Sequence, residues 1–523
     1  MSAGTALSRL TGFLRVAAMA FALGVAETRL TDSYTVANNL PNIIYELVLG
    51  GVLTSVLVPV FVEYLGRRRE DAWEAGRAVM SVAVILLGAV MLAGMAAAPW
   101  IVRLYTFRIP DDAERAAVQE LSTFLLWFFM PQIVLYGLGA VATGVLNAHR
   151  RFATPMFAPI LNNLVVIASF LLFALLTGPE AVGPDEITLT QKLVLAMGAT
   201  AGVAAMTVAL WPSLRRLGFR WRWRPDWRHP AVRKLVRLSG WVVAYVVTNQ
   251  LGLLVVIVLA GAEQGGYAAY QAAFIFFQLP HAIFAVSIMT ALLPSLSEDW
   301  DRGDRPDFRR TLSRGIRASA FVVVPAAAGY LALAEPIVRL LLQHGVATAQ
   351  STDLVAGILA FFALGLFPFS AFMLFLRAFY AMEDTRTPAI INVFAVGVNV
   401  AANLSLFPLL GVEGLALGHA VAYGFASVTA GIVLRRRLGG LEGRALGAGL
   451  AKVLVAAAAT GLAAWGSARL MGRFVPADTL VGQVAQVGTG VLGGLIIFVG
   501  AALLMRVEEF ELVKRTIAAR LRR

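Results

Sequence analysis

Cysteine is absent from the 523 residues, which excludes disulfides, thiolate nucleophiles and thiolate metal sites. Charge is scarce: Asp, Glu, Lys and Arg make up 14% of the chain, against about a quarter in an ordinary soluble protein. The five histidines are scattered without metal-ligand spacing, so no zinc site is evident and no cofactor is expected. No Walker lysine motif occurs, so ATP is not the evident energy source. Ser8, Arg9 and Arg15 interrupt the first apolar segment, which excludes a cleavable signal peptide.

What the chain does have is apolar surface. Hydrophobic residues fill 59% of positions, more than one core can hide, so lipid must cover much of it. Long apolar runs separated by short polar loops define an all-α polytopic membrane protein. Fourteen helices are expected, at 3–24, 34–65, 73–105, 118–147, 156–177, 190–215, 232–261, 267–297, 312–343, 353–382, 388–407, 412–435, 446–471 and 479–506. The net charge of +13 is concentrated in alternate loops: Arg67 to Arg69, His149 to Arg151, 215–237, Arg435 to Arg437, and the tail from Arg515 to Arg523. Opposite loops are poorer in Lys and Arg, so both termini are expected in the cytoplasm. The run Phe219-Arg220-Trp221-Arg222-Trp223-Arg224 has the aromatic–basic interleaving of nucleic-acid binders. Its place beside a span favours a membrane-interface anchor, and no nucleic-acid partner is expected.

An internal repeat organises the chain. Asn39-Leu40-Pro41, with Val52-Leu53-Thr54 and Pro59, recurs as Gln278-Leu279-Pro280, with Ile288-Met289-Thr290 and Pro294. Asn147 to Pro155 is echoed by Tyr380 to Pro388, and the offsets run from 239 and 235 to 233. The spacing predicts a six-helix lobe over 1–215, a basic cytoplasmic linker over 216–231 and a second six-helix lobe over 232–435. A further helix pair over 446–506 and a basic cytoplasmic tail over 507–523 follow. Both lobes start on the same side, as parallel repeats do, and two lobes around a cavity suit a transporter.

Ionisable groups at bilayer depth are costly and usually face a cavity or a partner. Arg15 lies about 18 Å into the first helix at 1.5 Å per residue, too deep for easy snorkelling. Ser8, Thr11 and Arg15 share its face, and Gly12 allows close approach of another backbone or a ligand. Arg9 is nearer the mouth and either snorkels to headgroups or binds ligand. Asn38, Asn42 and Glu46 form a polar stripe on the second helix, with Pro41 and Gly50-Gly51 marking a kink or hinge. Glu46 is a counter-ion to Arg15, a proton site, or both. Asn392, Asn399 and Asn403 share a face, and Tyr245 with Asn249 and Gln271 with Gln278 form pairs; each set serves either helix–helix hydrogen bonding or substrate contact. Arg377 either binds phosphate or sits at the interface. Arginine forks suit phosphate oxygens, so the cavity suggests an anionic, phosphate-bearing substrate.

These residues carry a resemblance. Ser8-Arg9-Leu10-Thr11-Gly12-Phe13-Leu14-Arg15, Asp32 and Asn39-Leu40-Pro41-Asn42 resemble the start of the MurJ (MviN) family of lipid II flippases. Tyr45 to Ser55 is similar to its actinobacterial branch, and Leu292 to Ser297 and Thr387-Pro388 fall where the family has corresponding segments. The likeness runs from residue 1 to 510. It implies the multidrug/oligosaccharidyl-lipid/polysaccharide exporter fold, with two six-helix lobes, a C-terminal pair and a lipid-accessible groove. It also implies alternating-access export of undecaprenyl-diphosphate-linked peptidoglycan precursor across the bacterial cytoplasmic membrane, membrane lipids and cell-wall synthesis proteins being its other partners. Arg9, Arg15 and Asp32 match positions the family needs. Proteobacterial members have a basic residue at Tyr45, an acidic one at Gly50, and an Arg and a Glu near Ile275 and Gln278; here those charges are missing. The seventh helix lacks Asp, which weakens a sodium site, and no pseudokinase or extracellular domain is expected beyond the tail.

The alternative is a relative exporting drugs or another polyprenyl-linked glycan. A drug exporter favours cations, and the first-helix arginines argue against it. A membrane enzyme acting on polyprenyl phosphates would need a loop cluster of Asp, His or Arg in metal or nucleophile geometry, and the sequence has none. A scaffold binding through basic loops explains neither Arg15 nor Glu46.

Overall fold

The computed structural model describes residues 2–45, 61, 63–64 and 69–510, and the regular structure among them is helical throughout. Two compact units emerge. The first comprises residues 1–268 with 344–351, the second 269–343 with 352–523.

The first unit holds α1 (Ser2–Leu23), α2 (Leu30–Tyr45), α3 (Arg69–Thr106), α4 (Asp112–Phe129), α5 (Gln132–Ala148), α6 (Ala153–Thr177), α7 (Leu189–Val208), α8 (Trp211–Arg216) and α9 (Pro230–Ala260). Local chemistry moves several expected boundaries. The span expected at 118 begins at Asp112, because the Asp111 carboxylate accepts from the Glu114 amide and caps the helix. The same span breaks at Met130–Pro131, since proline has no N–H to continue the ladder. The helix expected from 34 begins at Leu30, and its continuation beyond Tyr45, with Glu46 and Gly50-Gly51, lies outside the described residues.

At one end of this unit, Phe219 is buried against Trp73, ring centroids 5.4 Å apart, while Trp73 stacks on His149 at 5.0 Å. The basic run is laid along α3. Arg77 donates to the Arg220 carbonyl at 2.9 Å, and Arg224 pairs with Glu74 at 2.7 Å. Trp221 and Trp223 remain exposed beside the spans, as an interface anchor requires.

The second unit holds α10 (Gly266–Pro280, its first turn belonging to the first unit), α11 (Val286–Asp301), α12 (Arg305–Leu342), α13 (Ala349–Ala381), α14 (Arg386–Leu438), α15 (Gly443–Phe474) and α16 (Leu480–Leu504). A π-turn, His281–Ala285, joins α10 to α11. The spans expected at 388–407 and 412–435 are two helices, labelled together α14, divided at Gly411, whose φ of 58° and ψ of −142° are not helical. Asn403 donates to Asn399 at 3.1 Å, and a side chain on Gly418 would stand 2.1 Å from the Asn403 amide oxygen. This face of α14 is packing, not cavity. The α15–α16 pair closes on small residues: a side chain on Gly490 would meet the Ala464 carbonyl at 3.2 Å, and one on Gly493 would meet Ser467 at 2.6 Å. Such seams let helices associate where lipid supplies no hydrophobic drive.

Ten helices among the described residues are long and apolar enough to cross a membrane. Dividing α14 at Gly411 and adding α1, α2 and α9 accounts for the fourteen expected spans. Only 22% of the most apolar window of α16 is buried, and Leu175, Leu409 and Ile496 stand well exposed. Outward apolar belts of this kind belong in lipid, so the chain is a multi-pass membrane protein.

Two turns 233 residues apart have the same backbone form. Arg150 and Glu383, 233 residues apart, both adopt left-handed φ, at 57° and 59°. Around them the bonds match: Arg150 N–H to the Asn147 carbonyl (2.9 Å) and Arg151 to Leu146 (2.8 Å), against Glu383 to Tyr380 (3.0 Å) and Asp384 to Phe379 (2.9 Å). Non-glycine residues rarely take this conformation; Glu442 and Arg506 are the other two that do among the described residues.

Candidate substrate site

On α1, Arg9 is exposed and Arg15 is half-buried. Arg15 lies within electrostatic reach of Tyr34 on α2 and Tyr136 on α5. Tyr34 is buried and held edge-on between Phe129 (5.6 Å) and Phe170 (5.2 Å). Among the described residues Arg15 forms no ion pair. A half-buried guanidinium within a membrane span is costly and suits an anionic partner. The neighbouring face is different. Asn163 on α6 donates to the Thr11 hydroxyl at 3.0 Å, and a side chain on Gly12 would meet Asn163 at 3.6 Å. Thr11 and Gly12 therefore fasten α1 to α6, while Arg15 turns elsewhere.

Asp32 is buried, and both its oxygens are in use. They accept from the Gly265 N–H at 2.8 Å and the Ala268 N–H at 3.0 Å, capping the start of α10. Arg29, one turn earlier, donates to the carbonyls of Gly261 (2.8 Å) and Glu263 (2.9 Å), just past the end of α9. It also pairs with Glu114 at 3.2 Å and lies 3.8 Å from Asp32. One Arg–Asp pair thus serves both dipole ends of the turn between α9 and α10. Gly265 must be glycine here: its φ is 69°, and a side chain would come within 2.3 Å of Ala26.

Glu27 completes this clasp. It accepts from the amides of Val25 (2.6 Å) and Thr348 (2.6 Å) and from the hydroxyls of Thr348 (2.8 Å) and Ser351 (2.6 Å). Burial pushes the Glu27 carboxyl up, but the bonds from Ser351, Thr348 and Val25 outweigh it and hold the carboxyl below the ordinary glutamate value. A lowered value contributes stability that is present above the ordinary pKa of ~4.3 and lost as pH falls through the folded one. Glu27→Gln is therefore expected to cost about 2 kcal/mol near pH 7, as charge-assisted bonds weaken and an NH2 meets donors. The gap between the thermal midpoints of the two proteins should begin to narrow as pH falls below ~4.3 and close only below the folded value; a constant gap would contradict this assignment.

Asn42 and Asn249 are half-buried in the first unit, as is Gln278 in the second, where Arg377 is exposed. Glu46 lies outside the described residues. The sequence reading overlooked Glu27 and Arg29. Their one local signal is three ionisable residues, Glu27, Arg29 and Asp32, within six positions between two apolar runs.

The structure is that of a helical, multi-pass membrane protein with a half-buried arginine on its first helix. The structure is similar to one titled "Lipid II flippase MurJ, inward closed conformation", with TM-score 0.75, 19% identity and coverage of 97% of this chain and 98% of that one. It is also similar to an inward-facing multidrug-resistance MATE transporter, with TM-score 0.66, 13% identity and coverage of 84% and 95%. In sequence, the probable lipid II flippase MurJ of Rhizobium meliloti is 32% identical over 419 residues, 79% of this chain and 76% of the relative. The lipid II flippase MurJ of Burkholderia cenocepacia is 28% identical, over 84% of this chain and 83% of its own. The family described as Lipid II flippase MurJ matches residues 19–484, and the chain belongs to it.

Proposed function

We propose that this chain is a lipid II flippase, carrying undecaprenyl-diphosphate-linked peptidoglycan precursor from the inner to the outer leaflet of the cytoplasmic membrane by alternating access. The single observation that carries the reading is Arg15, half-buried in a membrane helix of a MurJ-family chain and without an ion-pair partner among the described residues. Its fork suits diphosphate oxygens. Arg9 and Arg377 supply further cations at helix ends, and Asn42, Asn249 and Gln278 supply amides for the glycan and peptide. Glu46 balances Arg15 when no substrate is bound. Asp32 positions rather than binds, since its oxygens are committed to backbone amides. No bond is made or broken, so the protein is not an enzyme.

Both termini lie in the cytoplasm, as the charged loops require. The lobes span 1–215 and 232–435, with the α15–α16 pair added, and the twin turns at Arg150 and Glu383 support that division. Leaflet-resolved accessibility of labelled lipid II tests the function in cells depleted of their own flippase. Expression of this chain should restore outer-leaflet label, and label retained in the inner leaflet despite normal expression would refute the assignment.

A further inference from the structure

A cavity of about 640 Å3 lies at the end of the second unit where α12 and α15 finish and α13 and α16 begin. Its size falls in the range of about 300–1,000 Å3 that holds small ligands. Three guanidiniums line it: Arg339 of α12, and Arg469 and Arg473 of α15. Two carboxylates, Glu335 and Asp353, share the lining, so its formal charge is one positive. Glu335 is committed to Arg339, one turn away on α12. Arg469 lies over the Trp465 ring at 4.3 Å, and Arg473 follows it by four residues on the same face of α15. Among the described residues neither Arg469 nor Arg473 pairs with a carboxylate.

The surroundings are amphiphilic. Leu331 lines the cavity and is 48% exposed, and Leu462 and Leu470 are exposed on α15 nearby. A ligand here has a charged head beside an interfacial tryptophan and an apolar tail in the membrane. The charge decides its class. A diphosphate would bring two or three negative charges to a lining that already holds two carboxylates, whereas a phosphodiester brings one, matching the net positive charge. Asp353 accepts a hydrogen bond from a hydroxyl and repels a second phosphate.

We propose that this cavity binds the headgroup of an anionic phospholipid that carries free hydroxyls, of the phosphatidylglycerol class. Arg469 and Arg473 grip the phosphodiester as two forks, and Asp353 receives a glycerol hydroxyl. All of its lining belongs to the second unit, and the proposal stands independently of the transport reading.

The test is the thermal midpoint of the purified full chain in phosphate-free detergent. Phosphatidylglycerol at saturation should raise it by about 4 °C through selective binding to the folded state. Phosphatidylcholine and inorganic phosphate should each move it by less than a quarter of that. The Arg469→Gln/Arg473→Gln variant should lose most of the shift, and Arg473→Gln alone, at an exposed side chain, should lose about half without lowering the lipid-free midpoint. Arg436→Gln, in the last turn of α14 and outside the cavity lining, should keep the full shift. An undiminished shift in the double variant overturns the proposal, as does an equal response to phosphatidylcholine, which means no headgroup selection. Inorganic phosphate matching the lipid also overturns it, by making the ligand a free anion. So does a larger, arginine-dependent shift from a polyprenyl diphosphate, which would make the cavity part of the substrate path. Translocation by Arg473→Gln, measured separately, distinguishes failure here from failure of the flippase reading.

Discussion

Replacing Arg15 by alanine is expected to abolish lipid II translocation while leaving protein level and thermal stability near those of the parent. Among the described residues Arg15 makes no ion pair, so its removal breaks none of the bonds found there, and its proposed balance, Glu46, lies outside them. In transport the loss is large. Truncating one partner of a desolvated charge pair costs about 3 kcal/mol, or roughly a hundredfold in affinity. Arg15→Lys restores charge but not the fork, and about tenfold of the loss should remain. The measurement pairs complementation of a flippase-depleted strain with a melting curve. Normal growth on the alanine variant refutes the assignment, and a collapsed melting curve reassigns Arg15 to structure.

Asp32→Ala is expected to fail in the opposite manner, losing stability first and activity as a consequence. It strips the cap from α10 and leaves Arg29 buried beside an empty place, with only the partly exposed Glu114 opposite. Breaking a buried pair by removing one member typically costs about 3–5 kcal/mol. Arg29→Met should cost a similar amount, because the carbonyls of Gly261 and Glu263 lose their donor. The double variant should be less damaged than the sum of the singles by more than about 1 kcal/mol, the sign of two groups in one network. Additive melting losses would mean that the two residues cap their helices independently.

The contrast between Arg15 and Asp32 marks what the sequence made legible. Apolar runs and loop charge were enough to place the spans, because lipid forces every backbone group into a helix and length follows from bilayer thickness. Arg15 stood out for the same reason: a charge in such a run has no ordinary excuse. Asp32 entered the site only through family resemblance, and its partners explain why its job stayed hidden. They are main-chain amides at Gly265 and Ala268, more than two hundred residues away, and an amide has no side-chain identity to leave in a sequence. Glu27 is a sharper case, since the distant donors to its carboxylate are Thr348 and Ser351. Helical periodicity likewise put Ser8, Thr11 and Arg15 on one face but could not say that Asn163 would claim Thr11. The breaks at Pro131 and Gly411 are local, yet proline and glycine occur inside many spans here, and only packing chooses which of them bends the chain.

The hydrogen bonds of the paired turns at Arg150 and Glu383 match although the letters around them scarcely do: Asn-Ala-His-Arg-Arg in one, Tyr-Ala-Met-Glu-Asp in the other. Different residues thus build the same turn, down to a backbone angle that neither arginine nor glutamate would choose by itself. Either turn is thus a replaceable part, and a chimaera with 147–155 transplanted into 380–388 would meet a backbone already shaped to receive it.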